Sequence, residues 1–159
     1  MVNQALKALG INGPKWLTDP SFMMLGVIIV GVWSSVGYNM IILLAGLKNI
    51  PRGYYEAAMI DGATSGQQFR KITVPLLSPV LFFVSITSLM GGFKVFDIII
   101  AMTQGGPGRA TNVLAYFVYN KSFMDSRFGY ASAAAFVMFA IIMVFTAIQF
   151  IGQKKWVNY

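Results

Sequence analysis

The sequence predicts an all-α integral membrane protein, with three transmembrane helices and a bent, water-facing helical loop between the first and the second. Three observations predict it. The 159 residues are 57% hydrophobic and only 11% charged, with a mean hydropathy of +0.67, whereas soluble domains carry about 25% charged residues. Apolar runs cover about residues 22–47, 76–102 and 129–151, each long enough to cross ~30 Å of hydrocarbon at ~1.5 Å per residue. Between the first two runs, residues 51–74 combine helix-forming stretches with two sharp turn signals.

The same composition excludes several classes of function. Cysteine and histidine are absent, which removes disulfides, thiolate chemistry and the usual zinc sites, so neither a metal nor a cofactor is expected. No span holds paired carboxylates, so an intramembrane enzyme is not expected and no catalytic residue is assigned. The net charge of +7 does not point to nucleic acid. The basic residues sit singly or in pairs beside apolar runs, as membrane-flanking residues do, rather than in a stripe. The partner they imply is a lipid bilayer.

Along the chain, the first twenty residues lack the basic start, continuous apolar core and small-residue cleavage site of a secretory leader. Asn3 to Leu9 reads as a short helix stopped by Gly10, and Asn12-Gly13-Pro14 as a turn. Asp19-Pro20 opens the first span with an N-cap and a first-turn proline. The second span starts near Pro75, is charge-free from Leu76 to Phe93, and reads as continuing to Met102. Its first eighteen residues cover ~27 Å, which places Lys94 near an interface. Placement matters, because a charge at the bilayer centre costs about 3 kcal/mol. Lys94 and Asp97, at i and i+3, would meet on one helix face, either as an interfacial pair or in a solute path.

The small residues Ala131 to Ala135 in the third span allow close approach of a neighbouring helix. Lys154 and Lys155 follow that span. The loop Thr103–Arg109 is rich in glycine but lacks the Gly-Lys-Ser/Thr ending of a phosphate-binding loop, so it reads as a turn. Tyr116 to Phe123 reads as a short interfacial helix. Three spans put the termini on opposite sides of the membrane. Lys48, Arg52, Arg70, Lys71, Lys154 and Lys155 lie on one side, and Lys7, Lys15, Arg109, Lys121 and Arg127 on the other. That excess favours a cytoplasmic middle loop only slightly.

The middle loop carries the strongest local signals. Pro51 suits a helix start, and Tyr54-Tyr55-Glu56-Ala57-Ala58-Met59-Ile60 has good helix formers. Asp61-Gly62 breaks it, since glycine permits a left-handed turn. Thr64 with Gln67 has the capping-box pattern and starts a second helix through Lys71, after which Pro75 and Pro79 mark entry into the span.

Glu56-Ala57-Ala58-x-x-Asp61-Gly62-Ala63, followed by Phe69, Ile72, Pro75 and Pro79, resembles the EAA loop of binding-protein-dependent ABC importer permeases. The carbohydrate branch, with its maltose and glycerol-3-phosphate systems, is the nearest. The resemblance extends through Lys15-Trp16-Leu17-x-Asp19-Pro20, Leu44-Ala45-Gly46-Leu47, Ile50-Pro51, Thr103-x-Gly105-Gly106-Pro107 and Phe128-Gly129-Tyr130-Ala131. Val74 stands where the family usually has leucine.

The resemblance implies a permease subunit of an ATP-driven importer of sugars or glycerol phosphate, in a bacterial or archaeal plasma (inner) membrane. Its N-terminus would be outside and its C-terminus cytoplasmic. The loop would be a coupling helix docked on an ABC ATPase subunit, where ATP hydrolysis takes place. Glu56 would engage that surface, Ala57, Ala58 and Ala63 would permit close packing, and Asp61-Gly62 would form the bend. A second permease subunit and an extracytoplasmic solute-binding protein complete the implied set of partners. The matched region corresponds to the C-terminal half of a core of about six helices, so a partial reading frame or truncated chain is expected. The alternative is a membrane scaffold, or a truncated permease fragment without transport activity.

Two polar stripes complete the reading. Gly31, Ser35 and Asn39 share a face of the first span, and Ser85, Ser88 and Gly92 a face of the second. Such stripes either pack against other helices or line a cavity. By resemblance to the maltose permease, Gly31, Ser35, Ser88 and Gly92 fall at carbohydrate-contacting positions. The serine hydroxyls are suited to hydrogen-bonding a polyhydroxylated solute.

Overall fold

The computed structural model describes residues 2–8, 10 and 13–154; Leu9, Asn12 and Lys155, which figure in the sequence reading, lie outside them. The described chain is built of helices: α1 (Val2–Ala8), α2 (Pro20–Lys48), α3 (Arg52–Ile60), α4 (Ser65–Gln68), α5 (Val74–Phe93), α6 (Asp97–Met102), α7 (Leu114–Tyr119) and α8 (Phe128–Gln153). Among the described residues, three helical stretches are long and apolar enough to cross a membrane: Pro20–Lys48, Ser65–Phe93 and Phe128–Gln153.

The start of α2 follows from its sequence. Pro20 occupies the first helical position, and the Ser21 amide donates to Asp19 Oδ1 at 3.0 Å, satisfying one of the N–H groups a helix start leaves open. At its other end Lys48 sits in the last turn, complementing the helix dipole.

The second long helix departs from the sequence reading at both ends. The loop's second helix does not stop before the span. It passes through a π turn, Phe69–Thr73, directly into α5. The Val74 amide bonds Phe69 O across that turn, and the wider turn relieves the clash that Pro75 would make with the carbonyl four residues before it. Pro79 lies inside α5 and cannot bond Pro75 O, but the buried Ser78 hydroxyl donates to that carbonyl at 2.6 Å. A hydroxyl thus replaces the missing amide donor.

At the other end α5 stops at Phe93 rather than running on to Met102, and Asp97 begins the separate helix α6. Gly91 and Gly92 weaken the last turn of α5, while Asp97 is favoured in the first turn of α6 by the helix dipole. Lys94 and Asp97 therefore do not share a helix face. Both are exposed, and no ion pair joins them.

The chain forms two compact units. The first comprises Met1–Trp33 and Phe93–Met138. Met23, Ile99 and Thr111 are almost wholly buried within it. The Thr111 hydroxyl shares a 2.7 Å hydrogen bond with that of Thr103, which closes the 103–111 loop on itself. Asn3 accepts from Trp16 Nε1 at 2.7 Å and donates to Pro14 O at 3.0 Å, holding α1 to the segment before α2.

The second unit comprises Ser34–Gly92 and Phe139–Tyr159. Here α2 and α5 pack closely at Gly46, where a Cβ would lie 2.8 Å from Leu77 Cδ1 and 2.9 Å from Val80 Cγ2. Phe82 meets Phe150 edge-on at 5.3 Å, joining α5 to α8. Small residues at helix crossings in membranes serve this close approach. Gly46→Val is therefore expected to destabilise the fold by about 1–3 kcal/mol through overpacking, read as a lowered thermal midpoint of the detergent-solubilised protein.

Candidate functional site

The bend between α3 and the long helix is specified by its backbone. Gly62 has φ +75°, a left-handed conformation that costs a residue with a Cβ about 1–2 kcal/mol. Around it the Gly62 amide bonds Met59 O at 3.0 Å and the Ala63 amide bonds Ala58 O at 2.9 Å. This is the paired pattern of a Schellman motif, which satisfies the last carbonyls of α3. Thr64 then caps α4 with a complete capping box. Its side chain accepts from the Gln67 amide, and the Gln67 side chain accepts from the Thr64 amide at 2.8 Å. One helix is closed and the next opened within four residues, Asp61 to Thr64.

A second contact fixes the angle of the bend. The Tyr55 and Thr73 hydroxyls share a hydrogen bond of 2.9 Å, joining α3 to the π turn before α5. Gln68 Nε2 also donates to Ala63 O at 3.3 Å. On this framework Glu56, Ala57, Asp61 and Gly62 are exposed, and Ala58 and Ala63 are half-buried. Tyr54, Met59, Ile60 and Phe69 also present apolar surface, with Ile60 87% exposed. Two carboxylates, Glu56 and Asp61, thus stand beside exposed apolar groups at the bend. No cluster of His, Cys, Asp or Glu that could hold a metal ion occurs among the described residues.

The polar stripes are only partly brought together. Within the second unit, Asn39 Nδ2 donates to Ser88 Oγ at 3.2 Å, across α2 and α5. Ser35, Ser88 and Gly92 are exposed, and Gly92 has open space where a Cβ would stand. Gly31, in the first unit, is half-buried, and a Cβ there would lie 3.7 Å from Ile98 Cδ1. Ser85 directs its hydroxyl to Phe82 O at 2.8 Å, spending its donor on its own helix. The sequence reading assigned no role to Thr146, Gln149 and Gln153 on α8. Their side-chain oxygens are buried without a donor among the described residues. Their i, i+3, i+7 spacing in an apolar helix is the signal that finds them.

Long apolar helices with a capped polar bend between two of them are the build of an integral membrane protein. The chain belongs to the family of binding-protein-dependent transport system inner membrane components, whose pattern matches residues 2–157. It is 40% identical over 161 residues to the lactose transport system permease protein LacF of Rhizobium radiobacter, covering 98% of this chain and 54% of LacF. It is 39% identical over 151 residues to the sn-glycerol-3-phosphate transport system permease protein UgpA of Brucella abortus biovar 1 (strain 9-941), covering 93% and 52%. The chain thus spans about half the length of these permeases. Its fold matches the crystal structure of a bacterial ABC transporter involved in the import of the acidic polysaccharide alginate. The TM-score is 0.82 at 24% identity, over 99% of this chain and 55% of that one.

Two outcomes follow from the geometry. Thr64→Ala is expected to weaken the bend by about 1 kcal/mol through loss of its cap, seen as faster amide exchange at residues 62–67 while the long helices stay protected. A double-mutant cycle with Asn39→Ala and Ser88→Ala is expected to give a coupling of about 0.6 kcal/mol, the usual worth of an interhelical hydrogen bond in a membrane.

Proposed function

We propose that this chain forms part of the solute pathway of an ATP-driven importer of sugars or glycerol phosphate, and that residues 51–74 couple it to a separate ATPase subunit. The observation that carries the reading is the doubly fixed bend, held by the Gly62 and Thr64 motifs at one point and by the Tyr55–Thr73 bond at another. A contact surface joined through this short, internally bonded bend to a helix long enough to cross a membrane can carry displacement from one to the other.

In this reading the bend lies on the cytoplasmic side, with the N-terminus outside and the C-terminus cytoplasmic. Glu56 and Asp61 supply charge to the ATPase contact, Ile60 and Phe69 supply apolar area, and Ala57, Ala58 and Ala63 permit close packing. Nucleotide binding draws the ATPase subunits together, the bend follows, and the helices exchange inward-facing and outward-facing arrangements. A second permease subunit and an extracytoplasmic solute-binding protein complete the machine. The family's dependence on a binding protein and the lactose and sn-glycerol-3-phosphate systems of the relatives support this choice of partner and solute. Ser35 and Ser88 are the proposed hydrogen-bonding partners of the solute, and Gly31 and Gly92 the further proposed pathway positions.

The double variant Glu56→Lys, Gly62→Pro tests the coupling role. Proline cannot adopt the positive φ of Gly62, and lysine reverses the charge at the contact. Membrane insertion is expected to persist while solute uptake by the assembled complex falls to background and its ATPase rate stops responding to solute. Uptake at the unsubstituted rate would contradict the proposal.

A further inference from the structure

Away from the bend and the polar stripes, the first unit carries a concavity of about 380 Å³ lined by Arg109, Phe117, Lys121, Arg127 and Tyr130. The three cations come from separate pieces of chain: Arg109 from the loop after α6, Lys121 from the π turn Asn120–Met124, and Arg127 from the residue before α8. The backbone gathers them. The Arg127 amide bonds Lys121 O at 2.8 Å, with Ser126 at φ +53°, which folds the 121–127 turn back on itself. Arg109 is held at φ +68°, an uncommon conformation for a residue with a side chain.

The charge of this concavity is only partly compensated. Lys121 pairs with Asp125 and lies 5.8 Å from the centre of the Phe117 ring. The Lys121 ammonium, first by its hydrogen bond and then by its charge, holds the Asp125 carboxyl below the usual carboxylate range, and Arg127 and Arg109 add to the effect. Neither arginine side chain has an ion-pair or hydrogen-bond partner among the described residues. Three cations against one carboxylate leave a surplus of positive charge in a shallow, partly aromatic hollow.

Position in the chain says what would meet it. Arg127 immediately precedes Phe128, the first residue of the membrane-crossing helix α8, and Tyr130 is in its first turn. The hollow therefore lies at the level of the lipid headgroups. Apolar side chains adjoin its lining residues in sequence: Phe123, Met124 and Phe128 are 69%, 63% and 60% exposed, and Phe136 and Val137 farther along α8 are also exposed. Cationic and aromatic groups above an exposed apolar helix face match a phosphate headgroup above acyl chains. A dissolved anion would use the charge but not the apolar side chains.

We propose that Arg109, Lys121 and Arg127, with Phe117 and Tyr130, form a binding site for the phosphodiester headgroup of an anionic phospholipid. The two guanidinium groups take the phosphate oxygens, as their planar donors allow, and Lys121 adds charge. The site is independent of the coupling role of residues 51–74, so either can fail alone.

The test uses the assembled transport complex in nanodiscs of mixed phosphatidylglycerol and phosphatidylcholine, with retained lipid counted by native mass spectrometry after detergent extraction. Preferential retention of phosphatidylglycerol is expected. Arg109→Gln with Arg127→Gln should weaken it roughly 30-fold, each basic residue near an anionic surface being worth about a factor of five. Arg109→Lys with Arg127→Lys should restore much of it, and Lys154→Gln, distant in sequence, should leave it unchanged. Helix content by circular dichroism confirms that the glutamine variant is folded. Equal retention of both lipids, or no effect of the glutamine pair, overturns the proposal. So does full displacement of the lipid by millimolar inorganic phosphate, which would mark a site for a dissolved anion.

Discussion

Hydrocarbon offers no hydrogen-bond donors or acceptors, so a chain crossing it must satisfy every backbone group from within. That constraint dictates the three long helices, and it explains how their irregularities survive. Pro79 would orphan the Pro75 carbonyl inside an apolar helix, and Ser78 supplies the missing donor. Pro75 is admitted by a π turn rather than by a break. Where the helix does end, at Phe93, it ends beside Lys94, whose side chain is exposed. At Pro79 a hydroxyl, and at Pro75 a wider turn, takes over the bonding that regular geometry would supply.

The same reasoning separates the bend at Asp61–Thr64 from an ordinary loop. A flexible connection would leave its carbonyls and amides to water. This one satisfies them internally, through the Schellman bonds on one side and the capping box on the other. The cost of ordering such a segment is of the order of 1–2 kcal/mol per residue, and several local bonds plus the Tyr55–Thr73 contact offset part of it. The proposed coupling role needs this internal bonding, because force applied to α3 has to reach the start of a membrane helix without being lost in slack chain.

Local chemistry was the legible part of the sequence. Asp19-Pro20, Gly62 and the Thr64–Gln67 pair act at separations of a few residues, where side-chain type alone decides the outcome. Apolar length marked the three spanning helices for the same reason. The junction between the loop and the second span was less legible, because prolines normally read as boundaries. Whether one ends a helix depends on a neighbouring hydroxyl and on the turn before it. The break at Lys94 was hidden by an apolar run that resumes at Val95, and periodicity cannot show where two glycines will end a helix.

The candidate solute positions were legible as stripes but not as contacts. Spacing puts Ser85 and Ser88 on one face, yet one bonds its own helix and the other bonds Asn39. Pairing across helices depends on register, which hydropathy does not encode. The basic hollow was least visible of all. Arg109 and Arg127 are eighteen positions apart, and only the folded turns bring them to one concavity.

Sidedness decides whether the bend can serve an ATPase at all. The chain contains no cysteine, so a single substitution gives these residues their one thiol, and the unsubstituted complex serves as the background control. Ile60→Cys at the bend and Gly108→Cys in the opposite loop would be treated in intact cells with a membrane-impermeant maleimide. A cytoplasmic bend predicts labelling at position 108 alone, with position 60 reacting only after the membrane is opened and losing reactivity once the ATPase subunit is bound. Labelling of position 60 from outside intact cells would contradict the coupling role.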